Sequence, residues 1–173
     1  MKQLFVIAAL LLASHFVQAQ AVPDASTVLK EAYQKAKVEK KNVLLMFHAS
    51  WCGWCKKMDT ALADPSIKKS IEKAFVITHL TVKETPQKKD LENPGAEDIL
   101  KSQGADKMGI PFWIVYNPEG KILANAIMPN GENTGCPAAE EEVAYWISVL
   151  KKTTSLSADE LSKIEKRFKA NKP

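Results

Sequence analysis

Hydrophobic residues along this chain recur at helical spacing in some stretches and gather into short unbroken runs in others. Val28, Leu29, Ala32 and Tyr33 give an apolar face to a helix that Asp24 caps and that runs to about Lys40. The apolar run at residues 43–47 has the length of a central strand buried on both faces. Residues 48–51 turn out of that strand, and a helix follows from Cys52 to about Ala63. Asp64-Pro65 predicts a fresh start, an N-cap with Pro at the first helical position, and puts Ile67, Ile71 and Ala74 on one face. Residues 75–82 predict a second buried strand. The polar stretch 83–92, interrupted by Pro86, predicts an exposed loop, and Asn93-Pro94 opens a helix that Gly104 ends.

Beyond Gly109-Ile110-Pro111, residues 112–116 predict a third strand. Asn117-Pro118-Glu119-Gly120 has the residue order of a type I turn, so residues 121–128 return as a fourth, antiparallel strand. A Gly- and Asn-rich loop over 129–137 leads to a helix with Val143, Trp146, Ile147 and Leu150 inside. The last helix carries the plainest signals. Ser157 and Glu160 form a capping box, Leu156 and Leu161 a hydrophobic staple, and Leu161, Ile164 and Phe168 a narrow apolar stripe. Trp113 and Trp146 read as core, and His79, inside a strand, as structural. Helices alternating with strands, one pair joined by a hairpin, give an α/β layer structure with a mixed sheet.

The first residues stand apart from this pattern. Lys2 precedes an almost unbroken apolar run over 4–13, and small residues at cleavage spacing follow. That is a secretory leader over 1–21, cut after Ala19 or Ala21, with an apolar part too short to span a bilayer. Residues 22–173 then form one domain in a periplasmic or secreted protein. The net charge of +4 falls to about +3 once Lys2 leaves. The lysines come in pairs beside acids or apolar helix positions, the pattern of solvated helix surface. Nucleic-acid binding, which wants a concentrated basic stripe with interleaved aromatics, is not expected.

Cysteine use changes the picture most. Of three cysteines, Cys52 and Cys55 are three residues apart and Cys136 stands alone. An exported chain meets conditions in which disulfides persist. A bridge closing so small a loop constrains the unfolded chain little, so the pair is better explained by chemistry than by stapling. In Trp51-Cys52-Gly53-Trp54-Cys55 the first cysteine opens a helix, where free N–H groups and the helix dipole favour its thiolate, the reactive form in disulfide exchange. The second lies one turn on, within reach to displace a bound partner. Zinc held by this pair with His48 or Cys136 is the rival reading. One pair at a strand–helix junction lacks the second spaced pair of a structural zinc site, so no metal is expected.

From His48 to Lys56 the chain resembles the active-site segment of the thioredoxin family, including the Trp before the first cysteine. Asn93-Pro94-Gly95 and Gly109-Ile110-Pro111 are similar to two further family segments, the second being its cis-proline loop. The resemblance spans roughly residues 41–151 and implies a thioredoxin fold, a central mixed sheet flanked by helices, with the last helix as an addition. It also implies a thiol–disulfide oxidoreductase, with Cys52 as attacking thiolate, Cys55 as resolving thiol and Pro111 as cis proline. Trp51, Gly53, Trp54, Ile110 and Pro111 are the residues expected to meet substrate. No cofactor beyond the cysteine pair is implied. The expected partners are protein thiols and disulfides and a membrane-bound redox partner, with reductase, isomerase and oxidase directions all open. Ile110 before the proline resembles the reducing members, which favours a reductase. The alternative is a binding or chaperone-like module that uses the face around Pro111 without turnover.

Three departures qualify that resemblance. Met46 stands where the family often buries an acid that serves the resolving thiol, leaving His48 or a water as candidates for that role. The dipeptide between the cysteines is Gly-Trp rather than Gly-Pro, and the loop at 83–92 is longer than in the minimal fold. Cys136 reads either as a small buried residue or as a third thiol near the site, able to trap or relay a disulfide or to pair with another chain.

Overall fold

A computed structural model describes residues 21–171. The leader expected over 1–21 lies outside the described residues but for Ala21. Among the described residues no helix is long and apolar enough to cross a membrane.

The chain runs α1 (Ala25–Glu39), β1 (Asn42–His48), α2 (Gly53–Leu62), α3 (Lys68–Ala74), β2 (Phe75–Thr81), a 3₁₀ segment (Pro86–Leu91), α4 (Ala96–Ser102), β3 (Phe112–Tyr116), β4 (Ile122–Asn125), α5 (Glu140–Thr153) and α6 (Ala158–Lys169). The sheet order is β2-β1-β3-β4. β1 pairs parallel with β2 and antiparallel with β3, and β4 closes the hairpin with β3. Unbroken apolar runs become the two inner strands because both their faces are covered: Val43 to Phe47 and all of β3 are buried. This is the mixed, helix-flanked sheet of the thioredoxin fold.

The extra C-terminal helix is docked rather than appended. Its capping box forms, with Glu160 Oε2 accepting from Ser157 N at 2.8 Å and Ser157 Oγ accepting from Glu160 N. Leu161, Ile164 and Phe168 are buried. Phe168 packs 5.9 Å from Trp146, which meets Trp113 edge-on at 5.0 Å, so α6 reaches the sheet through three rings. Arg167 Nε donates to Asp64 Oδ2 at 2.6 Å, a contact between residues 103 positions apart in the chain.

That contact also corrects a sequence expectation. Asp64-Pro65 does not start a helix. The Asp64 carboxylate accepts from Ser66 N and Oγ as well as from Arg167, so residues 64–67 form a turn and α3 begins at Lys68. β2 is likewise not a fully buried strand. It lies at the sheet edge, with Ile77, Thr78 and His79 half-buried. The stretch 83–92 is not simply an exposed loop, since it holds the 3₁₀ segment and the buried Glu84. The fourth strand stops at Asn125, beyond a register shift at Val115/Tyr116.

Candidate functional site

β1 delivers the chain to the top of the sheet, where it turns at Ala49 and enters α2. Cys52 is the N-cap of that helix: its N–H donates to Ala49 O at 3.0 Å, and its Sγ accepts from Cys55 N at 3.1 Å. Cys52 and Cys55 are joined by a disulfide with Cα atoms 5.3 Å apart. Both are buried and pack with Ala49 against Ile110.

The Ile110–Pro111 peptide bond is cis. The Ile110 carbonyl oxygen lies 3.5 Å from Cys52 Sγ, so the loop between α4 and β3 sits directly over the disulfide. Asn133 Nδ2 donates to Gly109 O and Pro111 O at 2.9 and 3.1 Å, fixing the carbonyls on both sides of Ile110. Beside the disulfide opens a cavity of about 540 Å³, walled by Trp54, Ile110, Pro111, Gly135, Cys136 and the start of α5 at Glu140. The structure therefore brings Trp54, Ile110 and Pro111 together around the cysteine pair. Gly53 faces open space, where an added Cβ would meet no atom within 4 Å.

Trp51 is 55% exposed, yet its Nε1 donates to Lys83 O at 2.8 Å. Trp54, also exposed, is covered by Lys57 Nζ at 4.4 Å from the ring centroid. Lys83, in the left-handed region at φ 54°, sends its ammonium to the carbonyls of Asp106 and Met108 at 2.8 and 2.6 Å. One residue thus ties the tryptophan before the first cysteine to the approach of the proline loop.

The two accessory candidates take different places. Met46 is buried in β1 with no acid at its place. Among the described residues His48 hydrogen-bonds Thr81 Oγ1 at 3.2 Å, not either cysteine, and its ring lies 4.9 Å from that of His79. Burial first, and the neighbouring His79 second, hold the His48 imidazole below its ordinary pKa. Cys136 is buried in the cavity wall, where Asn171 Nδ2 reaches its Sγ at 3.5 Å, and burial pushes its thiol up to about 12. A thiol so placed is a poor nucleophile.

Glu84 escaped the sequence reading. It is buried, and its carboxylate accepts from Ser50 N and, at 2.9 Å, from Ser50 Oγ. Those hydrogen bonds, the backbone one first, hold it below the usual carboxylate pKa. An acid in a polar stretch carries no periodic signal; only the fold shows that it points inward.

A family model described as thioredoxin-like matches residues 24–118. Among solved structures, the chain is similar to a disulphide isomerase from Xylella fastidiosa Temecula1, at 26% identity over 65% of this chain and 77% of that one, with a TM-score of 0.47. It is similar to the C-terminal domain of DsbD from Neisseria meningitidis in the oxidised form, at 25% identity over 61% and 84%, with a TM-score of 0.40. A thiol:disulfide interchange protein from Bacteroides sp. matches at 21% identity over 71% and 80%, with a TM-score of 0.42.

Proposed function

This chain belongs to the thioredoxin-like family and is a thiol–disulfide oxidoreductase, and from that premise we infer that it reduces disulfides of exported proteins, with Cys52 attacking and Cys55 resolving. The observation that carries the reading is the Cys52–Cys55 pair at the first turn of α2, under the Ile110 carbonyl.

In the disulfide form the Cys52 sulfur, as N-cap, accepts from Cys55 N and stands at the positive end of α2; once the pair is reduced, the same surroundings favour the thiolate. That thiolate attacks one sulfur of a substrate disulfide. The substrate S–S bond breaks, a Cys52–substrate mixed disulfide forms, and the other substrate sulfur leaves and takes a proton. Cys55, deprotonated, then attacks the Cys52 sulfur. The mixed disulfide breaks, the second substrate thiol is released, and the Cys52–Cys55 disulfide forms. Two electrons have passed from the pair to the substrate. A dithiol donor must return them, and for an exported chain that donor is membrane-bound. The leader over 1–21 supports export, and Ile110 before Pro111 supports the reducing direction.

Both sulfurs are buried, so the substrate chain has to lie along the cavity between Trp54 and Pro111 to reach Cys52. Trp51 and Gly53 flank that approach. The test is trapping. Cys55→Ser should accumulate a mixed disulfide with a disulfide-containing protein, released by dithiothreitol, while Cys52→Ser should not. Equal trapping by both variants would refute the assignment of roles.

A further inference from the structure

The α2 helix carries a second group of chemistry-bearing side chains, seven residues or about two turns past Cys52. Asp59 projects from α2 onto the edge of the sheet, where His79 Nε2 lies 2.9 Å from its Oδ1. The parallel register pairs Met46 with His79 and His48 with Thr81. His79 and Thr81, two apart on β2, share one sheet face, and His48 joins them there through its bond to Thr81. One ring nitrogen from each histidine and one Asp59 oxygen all lie within 4.8 Å of one another.

We propose that His48, Asp59 and His79 form a binding site for a divalent transition metal, zinc being the plainest occupant, separate from the cysteine pair. Two imidazoles and one carboxylate are a nitrogen-rich set that suits zinc and its neighbours and not calcium or magnesium, which want oxygen throughout. Three protein ligands leave a fourth position to water, as in open zinc sites. Tetrahedral zinc with bonds of about 2.0–2.2 Å sets its ligand atoms about 3.4 Å apart. Closing from 4.8 Å falls to side-chain rotation, for which His79 and Asp59, 33% and 43% exposed, have room.

The surroundings fit a cation. A metal ion taking His79 Nε2 would stand where the proton shared with Asp59 now lies, and the imidazole would carry its N–H on Nδ1 instead. Asp59 and His79 also line a cavity of about 240 Å³ with Leu62, Ile77, Lys68 and Glu72. The occupied site would fasten α2, β1 and β2 at one point, and mass action would then stabilise the fold against heat. No spacing rule reaches this set, because its members come from three elements and meet only through the strand register.

Zinc chloride titrated calorimetrically into the oxidised protein tests the proposal, because the disulfide removes Cys52 and Cys55 as rival ligands. The expected result is one saturable zinc per chain and a raised Tm. Asp59→Asn and His79→Gln should each weaken binding at least about tenfold, the cost of losing even an outer-shell partner. A Cys52→Ser/Cys55→Ser protein should bind as the oxidised protein does. The proposal is overturned if no saturable binding occurs, if both Asp59→Asn and His79→Gln leave affinity unchanged, or if replacing the two cysteines abolishes binding.

Discussion

Glu84 grips Ser50 twice, through the backbone N–H and through Oγ, and Ser50 stands two residues before Cys52. Lys88 Nζ reaches the same hydroxyl at 3.2 Å, and Glu92 Oε1 accepts from Glu84 N at 2.6 Å. The turn into the cysteine helix is thus anchored to the long loop at 83–92 by a buried charge. Glu84→Ala leaves the Ser50 N–H without its partner and loosens the turn. The expected outcome is a Tm lowered by several degrees and a disulfide-exchange rate reduced several-fold. Thermal melts and a reductase assay on the same variant check both.

Acid should unfold this protein in a definite window. Glu84 is held below its usual 4.5 by Ser50, and Glu160 is brought down to about 2, first by the Ser157 N–H. The folded state therefore takes up fewer protons than the unfolded chain as pH falls. The stability these carboxylates contribute is present above about 4.5 and is lost as pH drops toward 2. Urea midpoints measured down that range should fall, and Glu160→Gln should flatten the fall, since it removes the carboxylate that the Ser157 N–H holds ionised.

α6 should prove integral to the fold. Phe168→Ala empties a buried position against Trp146 and is expected to cost about 3–5 kcal/mol. Urea unfolding should show one transition, moved to lower denaturant, with the cysteine pair still able to form its disulfide.

Cys136 should be chemically silent. With the Cys52–Cys55 disulfide intact, iodoacetamide at pH 8 should label Cys136 slowly in folded protein and rapidly after denaturation, because burial pushes its thiol up to about 12. Cys136→Ser is expected to keep exchange activity within about twofold of the original, as for most changes that touch no reacting atom. Rapid labelling of folded protein would assign the residue to the chemistry.

How much of this was legible beforehand varies by residue. The apolar run at 43–47, the motif from Trp51 to Cys55, and the cap and stripe of α6 act locally, so they read directly from the sequence. Asp64 misled because its side chain had a better partner: Ser66 nearby and Arg167 more than a hundred residues away turned an N-cap signal into a turn. Glu84 and the set His48, Asp59 and His79 were illegible as sites for a related reason. Each is made by register and loop closure, which no local pattern encodes. His48 was noticed, but as a stand-in for the acid absent at Met46 or as a zinc ligand beside the cysteines; the fold turned it toward Thr81 and His79 instead.

The most direct test is the reduction potential of the Cys52–Cys55 pair, measured against glutathione in protein carrying Cys136→Ser. A reductase fed by a membrane donor predicts a value near that of thioredoxin, about −270 mV. A value of about −180 to −120 mV would contradict the account and make the protein an isomerase or an oxidant.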